Sequence, residues 1–166
     1  MTRSTIDLKI VGDRLEIVRS AVVELQTLPH TTLAVFTSDR RNVWSSDSLL
    51  RRAIEALFDT ARHVLAKAHG RGGLEYRDVA RLAVEHGVIS PEVADQFVKI
   101  AGFRNRLTHH YDAVTPEELF TVIQGHLGDI TRLADQLEAS AARLAAATDS
   151  PPDTLASESS IPIPRS

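Results

Sequence analysis

The chain contains no cysteine. That excludes a disulfide framework, a thiolate zinc site and a cysteine nucleophile, and it is compatible with a reducing compartment. There is no large excess of one charge either. Nineteen basic residues face 22 acidic ones, for a net charge of -3, which is not the footprint of a protein that coats nucleic acid nonspecifically. A local basic cluster can still hold a phosphate. No run approaches the roughly 18 apolar residues of a membrane span. The opening residues, Met1 to Asp7, lack an apolar h-region, so the expectation is no secretory signal and a cytoplasmic location. Strand-type alternation and internal repeats are also missing.

What is present suits one ordinary domain. The length of 166 residues, 43% of them apolar and 25% charged, can bury a core without staples. Apolar residues step by 3 and 4 through five segments, which predicts an all-α, up-down antiparallel bundle of about five helices. The first is expected over Ile6–Leu28, stopped by Pro29. A packed loop from Thr31 to Ser46 follows, holding Leu33, Val35, Phe36 and Trp44. Asp47 or Ser48 is expected to cap the second helix, which runs to Ala68 before Gly70-Arg71-Gly72-Gly73. A short third helix spans Tyr76–His86. The fourth starts at Ser90-Pro91 and reaches His109; the fifth starts at Thr115-Pro116-Glu117-Glu118, a capping box, and reaches Ala147. Residues 1–147 are thus expected to form one helical domain, and the Ser/Pro-rich residues 148–166 a disordered tail.

The fourth helix breaks its own pattern. Val93, Phe97 and Ile100 continue to Arg104, Leu107 and Tyr111 in the same stepping, so an arginine stands where the seam asks for an apolar side chain. A charge on a buried stripe is costly unless it is paired or the stripe opens into a cleft. Local rules failing at one place point to a site. His109 lies about 140° round a straight helix from Arg104. For both to reach one phosphate, the helix must end near Thr108 or a second subunit must complete the cleft.

These residues suit one chemistry. An arginine fork holds phosphate oxygens and stays charged. A histidine takes a proton from a ribose 2′-OH and returns one to the leaving group. Asn105 can orient either group or donate to a non-bridging oxygen. Such a set supports metal-free cleavage of RNA and leaves DNA, which lacks the 2′-OH, uncut. The arginine–histidine pair alone is weak, since 16 arginines and 7 histidines give about two such pairs by chance. Arg81–His86, at the same spacing, and Arg62–His69, two residues wider, are decoys. The chain has only two tyrosines, so the form Arg104-x4-His109-x-Tyr111 is far sharper than the pair.

The segment Ala101 to Asp112 resembles the signature of HepT-like proteins, a branch of the HEPN superfamily. Arg52 to Val64 is similar to that family's second-helix block, and Tyr76 to Ser90 to its middle hairpin. The resemblance covers about Ser48 to Leu127. It implies an HEPN-like bundle and a homodimer in which two signature helices line a shared cleft. It implies a toxin that cuts RNA, tRNA or mRNA, without cofactor or metal, beside a small nucleotidyltransferase antitoxin of the MntA kind. By the same resemblance, Arg104 stabilises the transition state, His109 is the acid and base, Asn105 assists, and Tyr111 is the residue to which the antitoxin attaches AMP. His110, a second histidine beside His109, leaves open which imidazole acts.

Blander readings stand beside these. Arg104 can be a structural ion-pair partner, with Asp59 as the candidate; His109 and His110 can be helix-end residues favoured by the dipole; Tyr111 can be half-buried packing. Asp59 and His63 are four apart on one helix face, two ligands at most, and a helix-surface or cleft-lining role fits them better than a metal. His30, His69, His86 and His126 read as solvated. Arg40-Arg41 and Arg51-Arg52 read as surface charge more readily than as RNA contacts. Two alternative functions remain: a non-catalytic helical module that binds a nucleotidyltransferase, and a nucleotide-binding helical regulator.

Overall fold

A computed structural model describes residues 5–109 and 114–149, and the side chains of all of these except His109 and Asp149. Seven helices and no strand occur among the described residues: α1 Leu8–Thr27, α2 Leu33–Thr37, α3 Arg40–His69, α4 Tyr76–Glu85, α5 Pro91–His109, α6 Pro116–Gly125 and α7 Leu127–Asp149. The all-α expectation holds, and the count of five rises to seven for two local reasons.

The first is the start of α3. It begins at Arg40, not near Asp47, because Asp39 accepts the Arg41 N–H at 2.9 Å as N-cap. The run Ser45-Ser46-Asp47-Ser48 reads as a helix start but lies inside α3. Ser46 folds its hydroxyl back on the Asn42 carbonyl at 2.7 Å, so its polar group is satisfied without breaking the helix. Ahead of it, Thr32 caps the short α2. The expected packed loop is thus mostly helix. Phe36 is fully buried against Phe120, but Trp44 is 64% exposed and Val35 also faces solvent, contrary to the expectation for both.

The second is the break between α6 and α7 around Gly125-His126. Leu119 and Ile123 before it and Leu127, Ile130, Ala134 and Leu137 after it are all buried. The apolar stepping runs through the break, so periodicity alone does not register it. The capping box at Thr115 is present as expected, with Glu118 N–H donating to the Thr115 hydroxyl and Thr115 N–H to the Glu118 carboxylate. Of residues 148–166, expected to form a tail, Thr148 and Asp149 continue α7, and residues 150–166 lie outside the described residues.

α3 is the central helix. α1 runs antiparallel to it, since Asp7 meets His63 while Arg14 meets Asp59. α5 is antiparallel as well, with Phe58 stacked on Phe97 and Glu55 reaching Arg104. α7 packs along α1 and α3, and Arg19 of α1 binds Asp135 and Glu138 of α7. The core these faces share includes Leu15, Leu25, Leu50, Leu57, Leu65 and Leu133, each essentially without solvent exposure. Among the described residues no helix is long and apolar enough to cross a membrane.

Candidate active site

Arg104 leaves the core seam of α5 where α3 and α4 meet it. Its side chain is only 13% exposed, and the seam position expected from the stepping is therefore real. Two groups receive it. Nη2 donates to Glu55 of α3 at 3.2 Å. The guanidinium lies 3.9 Å from the centre of the Tyr76 ring, at the first turn of α4. Below that ring runs an aromatic column: Tyr76 packs edge-on against Phe58 at 4.9 Å, and Phe58 stacks on Phe97 at 4.4 Å. A cation over an aromatic face is attracted by the ring quadrupole, and more strongly once partly desolvated. The Arg104 Nε, by contrast, is buried with no hydrogen-bond partner among the described residues. A buried donor left open on an otherwise held guanidinium is the kind of exception that marks a functional group.

The expected partner of Arg104 was Asp59; the structure makes it Glu55. Asp59 lies one turn further along α3, where its carboxylate pairs with Arg62 at 3.3 Å and its carbonyl accepts from Arg14 at 3.0 Å. Arg62 bears on the same Tyr76 ring, 4.3 Å from its centre. Asn105, the next residue on α5, is exposed. α5 remains helical through His109, so the backbone of His109 stands about 140° round from Arg104. This chain's α5 therefore does not by itself turn the two toward one point. His110 and Tyr111 lie outside the described residues.

The neighbouring Arg106 is turned elsewhere. It binds Glu118 at 2.7 Å and lies over Phe103. Together with Ile100, Val122, His126 and Ile130 it lines a mostly apolar cleft of about 590 Å³ between α5 and the α6–α7 pair, which Arg104 does not line. The Thr115 N–H and the Arg106 guanidinium hold the Glu118 carboxyl below the usual glutamate range.

Other expected residues fall as follows. His63 accepts the Asp7 N–H at 3.1 Å and, with Asp59, lines a cleft, one of the two roles expected for the pair. No group of three or more His, Asp or Glu among the described residues is arranged to hold a metal ion. The histidines expected to be solvated are not uniformly so: His69 and His86 stack on one another at 4.3 Å, half-buried, while His126 is exposed and faces Asp129 at 3.2 Å. Arg41 and Arg51 form local ion pairs with Asp39 and Asp47. Sequence reasoning missed Glu55, Arg62 and Tyr76 as the frame of Arg104. Glu55, Asp59 and Arg62 step by 4 and 3, a charged row on one face of an otherwise apolar helix, and that row was the available signal.

The architecture is shared with solved structures. The tri-AMPylated HEPN toxin of Shewanella oneidensis, in complex with its MNT antitoxin, superposes with a TM-score of 0.70 at 23% identity, covering 78% of this chain and 97% of that one. A toxin–antitoxin structure with AMP-PNP gives 0.69 at 22% identity, covering 77% and 97%. The bundle is therefore an HEPN-type fold. The family described as Ribonuclease HepT-like matches residues 18–137, and this chain belongs to it. It is similar to the tRNA nuclease HepT of Aphanizomenon flos-aquae, 27% identical over 69% of this chain and 78% of that protein. It is also similar to the mRNA nuclease HepT of Shewanella oneidensis, 28% identical over 54% of this chain and 68% of that protein.

Proposed function

We propose that this protein is the toxin of a toxin–antitoxin pair, a metal-independent endoribonuclease acting in the cytoplasm on tRNA or mRNA. The observation that carries the reading is Arg104. It is a guanidinium held over Tyr76 and against Glu55, with Nε open, five residues before a histidine at the end of the same helix. His109 takes the proton of a ribose 2′-OH, whose oxygen attacks the adjacent phosphorus. The 5′-oxygen leaves and is protonated by the imidazolium, giving a 2′,3′-cyclic phosphate and a 5′-OH. Arg104 stabilises the charge on the phosphoryl oxygens, and Asn105, exposed beside it, donates to one of them. The angle between Arg104 and His109 supports a homodimer whose second copy of α5 completes the cleft. The family relatives that carry nuclease names, and the fold neighbours captured with an antitoxin, support the same reading. A nucleotidyltransferase partner would silence the site by attaching AMP to Tyr111, placing a bulky anion where the substrate phosphate enters.

The test is cleavage of RNA by the purified protein in EDTA, with cyclic-phosphate and 5′-OH ends as products. His109→Ala should abolish it, and His110→Ala should not. Cleavage that survives His109→Ala, or that requires a divalent metal, overturns the mechanism. For the regulatory step, mixing with the nucleotidyltransferase and ATP should add the mass of one AMP at Tyr111. A second reading, a non-catalytic module that only binds such a partner, is favoured by the net charge of -3 and by the existing Arg104–Glu55 pair. A stable complex with no RNA cleavage and no growth defect on expression alone would select it.

A further inference from the structure

A basic cleft of about 280 Å³ opens beside the Arg104 site between the start of α1 and the end of α3. Arg14 of α1, Arg62 and His63 of α3 and Arg71 of the α3–α4 loop line it. The loop is shaped by Gly70 and Gly73, both at φ +66, a backbone region that side chains disfavour. Asp59 is the one carboxylate in the lining, and Arg62 already binds it. Arg71 is exposed, with no ion pair to a described residue. Three guanidiniums thus face a single neutralised acid. Arg62 also touches the ring that supports Arg104, so cleft and site share a wall.

We propose that this cleft holds a phosphate of the RNA flanking the one at Arg104, with Arg71 and Arg14 as its binding residues and Arg62 as the bridge between the two positions. The inference rests on the RNA-cutting reading above. Independent support comes from His63. Burial first, then Arg14 and Lys67, push its pKa below the ordinary histidine value, and only Asp7 pulls it up. Its Nε2 accepts the Asp7 N–H, which requires the lone pair there. Besides burial, the charges of Arg14 and Lys67 bear on this imidazole, and Asp7 alone opposes them. The groups facing it are Asp7 and Arg14 from α1, Asp59, Arg62 and Lys67 from α3, and Arg71 from the loop. A bound phosphate offsets the arginines and must raise the His63 pKa.

The experiment uses the full chain and a short single-stranded oligonucleotide of 2′-O-methyl riboses, which binds but offers no nucleophile for cleavage. In the wild type, the His63 ring resonances followed by NMR should titrate at higher pH when the oligonucleotide is present. Arg71→Glu should weaken binding by about ten-fold and flatten the dependence of log K on log salt by about 0.7, the share of one phosphate neutralised on a single strand. Arg41→Glu makes the same charge change near the opposite end of α3, about 30 Å from Arg62 at 1.5 Å per residue, and should leave affinity within about two-fold. Equal weakening by Arg71→Glu and Arg41→Glu, or a His63 pKa that ignores the oligonucleotide, overturns the proposal. A shift with inorganic phosphate but none with the oligonucleotide overturns it too, leaving only a small-anion site. Because the probe cannot be cut, failure of the nuclease reading shows separately, as absence of cleavage of ordinary RNA or its persistence in His109→Ala.

Discussion

Replacing Arg104 by Gln separates a structural arginine from a functional one. In the structure Arg104 has two stabilising contacts, the Tyr76 face at 3.9 Å and Glu55 at 3.2 Å. A partly desolvated cation–π contact contributes about 1 kcal/mol. The Glu55 side chain is 41% exposed, so its carboxylate rehydrates when the partner goes, and the pair contributes at most about 1 kcal/mol. The variant should therefore lose about 1–2 kcal/mol of stability, a drop in Tm of roughly 2–8 °C for a domain of this size. With total stability of about 5–15 kcal/mol, such a loss leaves the protein folded at the assay temperature. Removing a donor that stabilises transition-state charge costs far more, about 10²–10³ in rate. Urea unfolding and kcat/KM for RNA cleavage, measured on the same preparations, separate the two. A cleavage rate within about three-fold of wild type at full folding would refute the assignment of Arg104 to the reacting phosphate. Arg104→Lys sharpens the case: it keeps the charge but loses the planar fork, so its rate should fall well below wild type.

Phe58→Ala removes the middle of the aromatic column that carries Tyr76, at a site without solvent exposure. It should cost about 3–5 kcal/mol in urea unfolding. Thr115→Ala breaks the capping box of α6 and should cost about 1 kcal/mol by the same measurement. The folded-state pKa of Glu118 is lowered. Its stabilisation is therefore complete above the ordinary glutamate range and is lost as the pH falls through the lower folded value; Glu118→Gln should flatten that part of the stability–pH curve. For His63 the pKa is also lowered, but the group is a base. The unfolded chain binds the proton first, so stability should fall as the pH drops below the ordinary histidine value, and His63→Gln should remove this slope.

The sequence by itself determined the helical class and most of the helix ends, because a 3/4 apolar stepping and the capping box of α6 are local properties of the chain. It also exposed Arg104, since a charge on an apolar seam is visible without any partner. It misplaced the start of α3, where Ser46 satisfies itself within the helix, and the α6–α7 break, across which both helices bury the same face. Which carboxylate receives Arg104 depended on the antiparallel register of α3 and α5, across 49 residues of chain, and that register is set by packing such as Phe58 on Phe97. A one-turn difference selects Glu55 over Asp59, and no local spacing encodes it. The same holds for Tyr76 as the platform and for the Arg14, Arg62, Arg71 cleft: each joins residues from separate helices. Long-range packing alone brings them together.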